Sequence, residues 1–216
     1  MTHVAPSLLA ADKSKLLDEI LLVESLGATY LHWDVMDGVF VPNISYQTSD
    51  VKAYAHRHHM VNDVHIMVAN PMEQAIAFIE AGANNITFHY EACKNDEEVR
   101  SIIDKIHSLG VKAGLSIKPK TDVEVCYKFL DKLDLILVMS VEPGLGGQKY
   151  IDSATGKIKA LREYIDEHHL KTLIEVDGGI NAETGKIAKN AGVDILVAGS
   201  YLFGHEDIKE RIESLK

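Results

Sequence analysis

Three short apolar runs carry titratable side chains two residues apart: His32-Trp33-Asp34, Asp63-Val64-His65 and Glu175-Val176-Asp177. Alternate residues of a strand share a face, so a strand here puts His32 and Asp34 on one side with Met36 continuing it, and His65 with Met67 likewise. Where neighbouring strands bring those faces together, His32, Asp34, His65 and Asp177 offer two imidazoles and two carboxylates. That donor set suits one divalent cation of the Zn, Fe(II), Mn or Co kind. The same groups could instead form a hydrogen-bonded polar layer, because buried carboxylates without partners are costly. Of the 11 histidines, the Arg57-His58-His59 and His168-His169 clusters read as solvated surface.

A second constellation is rich in glycine: Glu142-Pro143-Gly144-Leu145-Gly146-Gly147-Gln148, Asp177-Gly178-Gly179-Ile180-Asn181 and Ala198-Gly199-Ser200. Each taken singly is a tight turn. In succession, after three strands and before the start of a short helix, they are suited to grip a phosphate through backbone amides and a helix dipole. Met36, Met67 and Met139 fall near strand ends, either as core filler or as an apolar cover over reacting carbons.

Such positions need a scaffold that repeats. Leu26-Gly27-Ala28, Ala81-Gly82-Ala83, Leu109-Gly110-Val111 and Ala191-Gly192-Val193 each precede an apolar run, which predicts a helix ended by glycine and followed by a strand. Eight strands are predicted, at 4–8, 30–34, 63–68, 85–90, 112–117, 135–140, 173–177 and 195–198, separated by helical periodicities of about ten to sixteen residues. Asn70-Pro71 reads as an N-cap with proline at the first helical position. Strand and helix alternate without a Pro/Gly/Ser linker or a shift in composition, so residues 1–216 are expected to form a single α/β domain, a (βα)8 TIM barrel of parallel strands. An open doubly wound sheet ranks second, since no Gly-x-Gly-x-x-Gly follows the first strand.

Composition narrows the function. The chain has 216 residues, 46% hydrophobic and 25% charged, with 22 Lys plus Arg against 32 Asp plus Glu and a net charge of −10. Disorder is excluded as the main theme, and general affinity for nucleic acid or an anionic membrane is disfavoured. An anionic substrate therefore needs a local pocket, which the glycine clusters offer. No apolar run is long enough for a membrane span and no leader opens the chain, so a cytoplasmic protein is expected. Cys93 and Cys126, without metal-type or redox-type spacing, read as inert small hydrophobes.

Ala5-Pro6-Ser7, His32 to Gly38 with Phe40-Val41-Pro42-Asn43, Asp63 to Met67, Val141-Glu142-Pro143-Gly144 with Gly146-Gly147-Gln148, and Glu175 to Ile180 together resemble the ribulose-phosphate 3-epimerase family from end to end. The motif at His32 is specific to these epimerases; the glycine grip is shared by many ribulose-phosphate-binding barrels. The resemblance implies interconversion of D-ribulose 5-phosphate and D-xylulose 5-phosphate with one divalent metal ion held by His32, Asp34, His65 and Asp177. It further implies that Ser7, His65 and Gly144 contact substrate, that Met36, Met67 and Met139 line the reacting carbons, and that Gly146, Gly147, Gly178, Gly179, Gly199 and Ser200 hold phosphate. Residues 142–150 would be a lid, and a homo-oligomer is expected.

Inverting a carbon beside a ketone requires removing a proton from one face and returning one to the other, for which Asp34 and Asp177 are the obvious pair. Three departures from the family pattern bear on substrate choice: Leu145 where Phe is usual, Lys118 before Pro119 where Asn is common, and Ser45-Tyr46-Gln47-Thr48-Ser49 in place of a Gly-Pro stretch. Lys118 either reaches the pocket or is a solvated loop lysine. The rival readings are a D-allulose 6-phosphate 3-epimerase, a non-catalytic binder of metal and sugar phosphate, and another phosphate-gripping barrel with no evident use for His32 and His65.

Overall fold

A computed structural model describes residues 2–216. Its strands are β1 (His3–Pro6), β2 (Tyr30–Met36), β3 (Val61–Met67), β4 (Asn85–His89), β5 (Lys112–Ile117), β6 (Leu135–Met139), β7 (Leu173–Asp177) and β8 (Ile195–Ala198). Between and after them run α1 (Leu16–Ser25), α2 (Thr48–Tyr54), α3 (Pro71–Ala81), α4 (Asp96–Ser108), α5 (Glu124–Tyr127), α6 (Ser153–Glu167), α7 (Ala182–Ala191) and α8 (Ile208–Leu215). The strands are all parallel and bonded in the order β1-β8-β7-β6-β5-β4-β3-β2; an isolated parallel bridge from Ser7 to His32 closes the ribbon on itself. This is the predicted single (βα)8 barrel.

The predicted junctions hold: Gly27, Gly82, Gly110 and Gly192 all adopt positive φ, as a residue ending a helix in the left-handed region does. Pro71 does open α3, but the Asn70 side chain makes no capping bond; its backbone carbonyl accepts from Gln74 instead. The helices are less uniform than expected. Helix α5 has four residues, because Phe129 and Lys132 bond back to Cys126 and Phe129 in i→i+3 fashion and the chain continues in turns that bury Phe129, Leu130 and Leu133. Helix α2 has seven, and the turn beyond it folds His58 inward. The expectation that His58 is solvated is thus corrected, whereas His59, His168 and His169 are exposed.

Alternation along the strands sorts the core into two shells. Trp33, Val35, Val64, Ile66, Val138, Val176 and Leu196 face outward and pack under the helices. Inside, Ala5, Leu135, Leu137, Met139, Ile195 and Val197 make an apolar half on β1, β6 and β8. The other half is polar and sealed: His32, Asp63, His65, Thr87, His89, Ser116 and Glu175 have no exposed surface. Cys126 is buried and Cys93 partly so, both unpaired, and burial pushes each thiol up to about 12. Among the described residues no helix is long and apolar enough to cross a membrane.

Candidate active site

Strand register brings the predicted groups together. Asp34 pairs with His65 and Met36 with Met67 across β2 and β3, while Met139 pairs with Asp177 across β6 and β7. His32 Nε2 and His65 Nδ1 stand 3.5 and 3.4 Å from Asp34 Oδ1, and 4.0 and 3.9 Å from Asp177 Oδ2. All four ligand atoms lie within 4.8 Å of one another. Neither His32 Nε2 nor His65 Nδ1 has a hydrogen-bond partner although both are buried. Two orphaned imidazole nitrogens aimed at two carboxylates fit a cation better than a self-satisfied polar layer.

The outer nitrogens are occupied. His32 Nδ1 donates to Asp63 Oδ2 at 2.6 Å, and Asp63 in turn accepts from Asn85 Nδ2. His65 Nε2 lies 2.9 Å from His89 Nε2, whose Nδ1 is 3.1 Å from Glu91 Oε2. Glu175, beside Asp63, has no hydrogen-bond partner; burial first and the Asp63 charge second hold its carboxyl well above the usual range. This makes the His32, Asp63 and Glu175 cluster a support for His32.

The two front carboxylates differ. Burial alone would raise Asp34, but the His32 and His65 imidazoles beside it carry it well below the usual range. Asp177 is pushed up to about 7, by burial first and by the Asp34 charge second. His32 is raised despite burial, by Asp34 and Asp63. Burial lowers His89 to about 4. The Ser7 hydroxyl donates to Asp34 Oδ2 at 2.6 Å.

Above them opens a cavity of about 520 Å³. Asp34, Asp177, Ser7, Met36, Met67, Met139, Gly144, Gly146, Gly147, Gly178, Gly179, Gly199 and Ser200 all line it. His32 and His65 do not: they are fully buried behind the carboxylates. Lys118 is not on the wall either; its ammonium stacks 4.0 Å from the Phe40 ring. After β8, Leu202 and Phe203 bond back to the Gly199 carbonyl, making one helical turn beside the glycines.

Several supporting residues were not singled out from sequence. Ser45 Oγ accepts from Met36 N–H and donates to the Asp34 carbonyl, fixing the end of β2. Asp37 accepts from Val39, Phe40 and Ala69 amides, tying the loop after β2 to that after β3. Asn43 donates to the Gly144 carbonyl and Gln148 to those of Glu142 and Leu145, shaping the loop over the cavity. Ser140 donates to the carbonyls of Asp177 and Gly178. Asn43, Gln148 and Asp37 lay in quoted motifs and Ser45 in a quoted departure from the family pattern; Ser140, His89 and Glu91 gave no local signal.

Residues 3–203 match the Ribulose-phosphate 3 epimerase family. Ribulose-phosphate 3-epimerase of Bacillus subtilis is 44% identical over 217 residues, covering 100% of this chain and 99% of its own. The Mycobacterium bovis ribulose-phosphate 3-epimerase is 43% identical, with 99% and 91% covered, and the chloroplastic ribulose-5-phosphate-3-epimerase of Arabidopsis thaliana 39%, with 99% and 75%. Among solved structures, 3-keto-L-gulonate-6-phosphate decarboxylase from Vibrio cholerae superimposes with a TM-score of 0.70 at 14% identity, covering 100% of this chain and 94% of that one, which speaks to the fold alone. With a family match along nearly its whole length and relatives this similar from end to end, the chain belongs to the ribulose-phosphate 3-epimerase family.

Proposed function

We propose that the protein interconverts D-ribulose 5-phosphate and D-xylulose 5-phosphate, with Asp34 and Asp177 moving the C3 proton. The family supports the reaction, and one observation carries the mechanism: two carboxylates, Asp34 on β2 and Asp177 on β7, face the same cavity. One carboxylate takes a proton as base while the other gives one as acid. In one direction Asp34 takes the C3 proton from one face of the carbon and Asp177 returns one to the opposite face; in the other direction the roles exchange.

The remaining groups orient and shield. Ser7 holds Asp34 Oδ2, leaving Oδ1 toward the cluster. Met36, Met67 and Met139 face the cavity as apolar walls that exclude water from the enediolate. The backbone around Gly146, Gly147, Gly178, Gly179, Gly199 and Ser200 receives the phosphate, where amides serve an acidic protein better than scattered lysines. A divalent cation, when held by His32, Asp34, His65 and Asp177, supplies positive charge opposite the charge that develops on the sugar oxygens. The mixed nitrogen and oxygen set suits Zn, Fe(II), Mn or Co. Location in the cytoplasm and assembly as a homo-oligomer belong to the same reading; unpaired cysteines support a reducing compartment.

The test is incubation of metal-loaded protein with D-ribulose 5-phosphate in D₂O, followed by NMR. Loss of the C3 proton signal together with D-xylulose 5-phosphate is expected. Exchange without epimer breaks the two-carboxylate mechanism, and turnover of D-allulose 6-phosphate alone moves the substrate to six carbons.

A further inference from the structure

His89 is buried, takes no part in the proton transfer and has both ring nitrogens engaged. Its Nε2 faces His65 Nε2 at 2.9 Å, a distance at which one nitrogen must carry the proton and the other accept it. His65 turns its bare, unpartnered Nδ1 toward the carboxylate cluster. A ligating nitrogen holds no proton, so the His65 proton sits on Nε2 and donates to His89. The proton of His89 is then on Nδ1 and donates to Glu91 Oε2 at 3.1 Å. Glu91 is fixed from outside: its Oε1 accepts from the Lys118 amide at 2.7 Å and from the Thr121 hydroxyl. Lys157 clamps the same loop through the carbonyls of Lys118, Pro119 and Thr121. The result is one directed chain from a partly exposed carboxylate to the cluster.

We propose that His89 and Glu91 are positioning residues for His65, a relay that keeps the His65 proton on Nε2 and raises the basicity of Nδ1 toward a bound metal. The proposal rests on the reading of His32, Asp34, His65 and Asp177 as metal ligands. It gives the two imidazoles unlike supports: His32 leans on the Asp63 carboxylate directly, His65 on a carboxylate one imidazole further out. Partners of this kind orient a ligand and tune its donor strength.

Glu91→Gln tests the direction of the chain. The amide oxygen keeps the bonds from Lys118 and Thr121, but the amide NH₂ faces His89 Nδ1 and donates to it. His89 must then carry its proton on Nε2, which forces the proton of His65 onto Nδ1, the ligating atom. Zinc affinity of the full chain, read by chelator competition at fixed pH, is expected to fall about 10- to 100-fold in Glu91→Gln and to stay within about threefold in Thr121→Val, which loses only the loop anchor. Unchanged affinity in Glu91→Gln overturns the relay, as do equal losses in both variants, which assign Glu91 to holding the loop. Absence of zinc binding by the unaltered protein overturns the metal reading and the relay with it. Should Glu91→Gln not fold, ¹⁵N NMR of the zinc-loaded, histidine-labelled protein decides: a His89 proton on Nδ1 supports the relay, and one on Nε2 overturns it.

Discussion

The cavity has two walls built by opposite means. At the ends of β2, β3 and β7 the chemistry is carried by side chains, His32, Asp34, His65 and Asp177, whose positions follow from strand register. After β6, β7 and β8 the wall is glycine-rich backbone, with no room for a Cβ at Gly178 or Gly179. A side-chain wall can be tuned, because each group answers to its neighbours: Asp34 goes down and Asp177 up within one cluster. A backbone wall offers donors whose charge no pH change alters, which suits an anion to be held rather than transformed.

If the walls are independent, altering one should leave the work of the other intact. The largest effect is expected from Asp177→Asn, which keeps the shape and removes a proton carrier: kcat should fall by about 10²- to 10⁴-fold or more while phosphate inhibition and circular dichroism stay unchanged. Near-normal turnover would break the division of labour. Next comes pH. In the metal-free protein Asp177 holds a proton below about 7, which a cation must displace, and raised His32 adds a second. Zinc affinity by competition titration should thus drop at least about tenfold per pH unit as pH falls below 7, with inorganic phosphate affinity lacking that dependence.

Changing the backbone wall should do the reverse. Gly179 has φ +65, and a Cβ there would lie 2.3 Å from the Tyr150 amide nitrogen. Gly179→Ala is expected to raise KM about tenfold and to cost about 1–3 kcal/mol in thermal unfolding, with zinc affinity preserved. Loss of zinc binding in that variant would show the walls to be coupled. The smallest effect is expected from Gln148→Ala, which frees the Glu142 and Leu145 carbonyls: a rise in KM of a few-fold, from bonds worth about 1 kcal/mol each, and little change in kcat.

The same contrast explains what could be read from sequence. Strands β5, β7 and β8 match expectation residue for residue, because their hydrophobic runs end in clear turn residues. Strands β2 and β3 run further, to Met36 and from Val61, the latter because Asn62, buried outside the barrel against Trp33 and the Ala55 carbonyl, interrupts the apolar pattern. Hydrophobicity fails as a guide where a buried side chain is polar and satisfied by the fold. The four clustered groups were legible because titratable residues are rare inside apolar strands. Their supports were not: Ser45 acts on Met36 9 positions away, Ser140 on Asp177 37 away and His89 on His65 24 away, and only the fold supplies those pairings. His58 was misread for the same reason, its neighbours being set by a turn rather than by composition.

The isolated Ser7–His32 bridge that closes the barrel has a mechanical meaning. The sheet is a ribbon with two free edges, β1 and β2, and the clustered side chains sit on both sides of that join: Asp177 two strands inward from one edge, His32 and Asp34 on the other, with the Ser7 hydroxyl spanning the gap to Asp34. Amide hydrogens flanking the join are therefore expected to exchange sooner than those of β4 and β5, and a cation shared across it acts as a rivet that slows the exchange. The hoop of strands and the reaction centre are held shut by the same few atoms, so whatever loosens one unfastens the other.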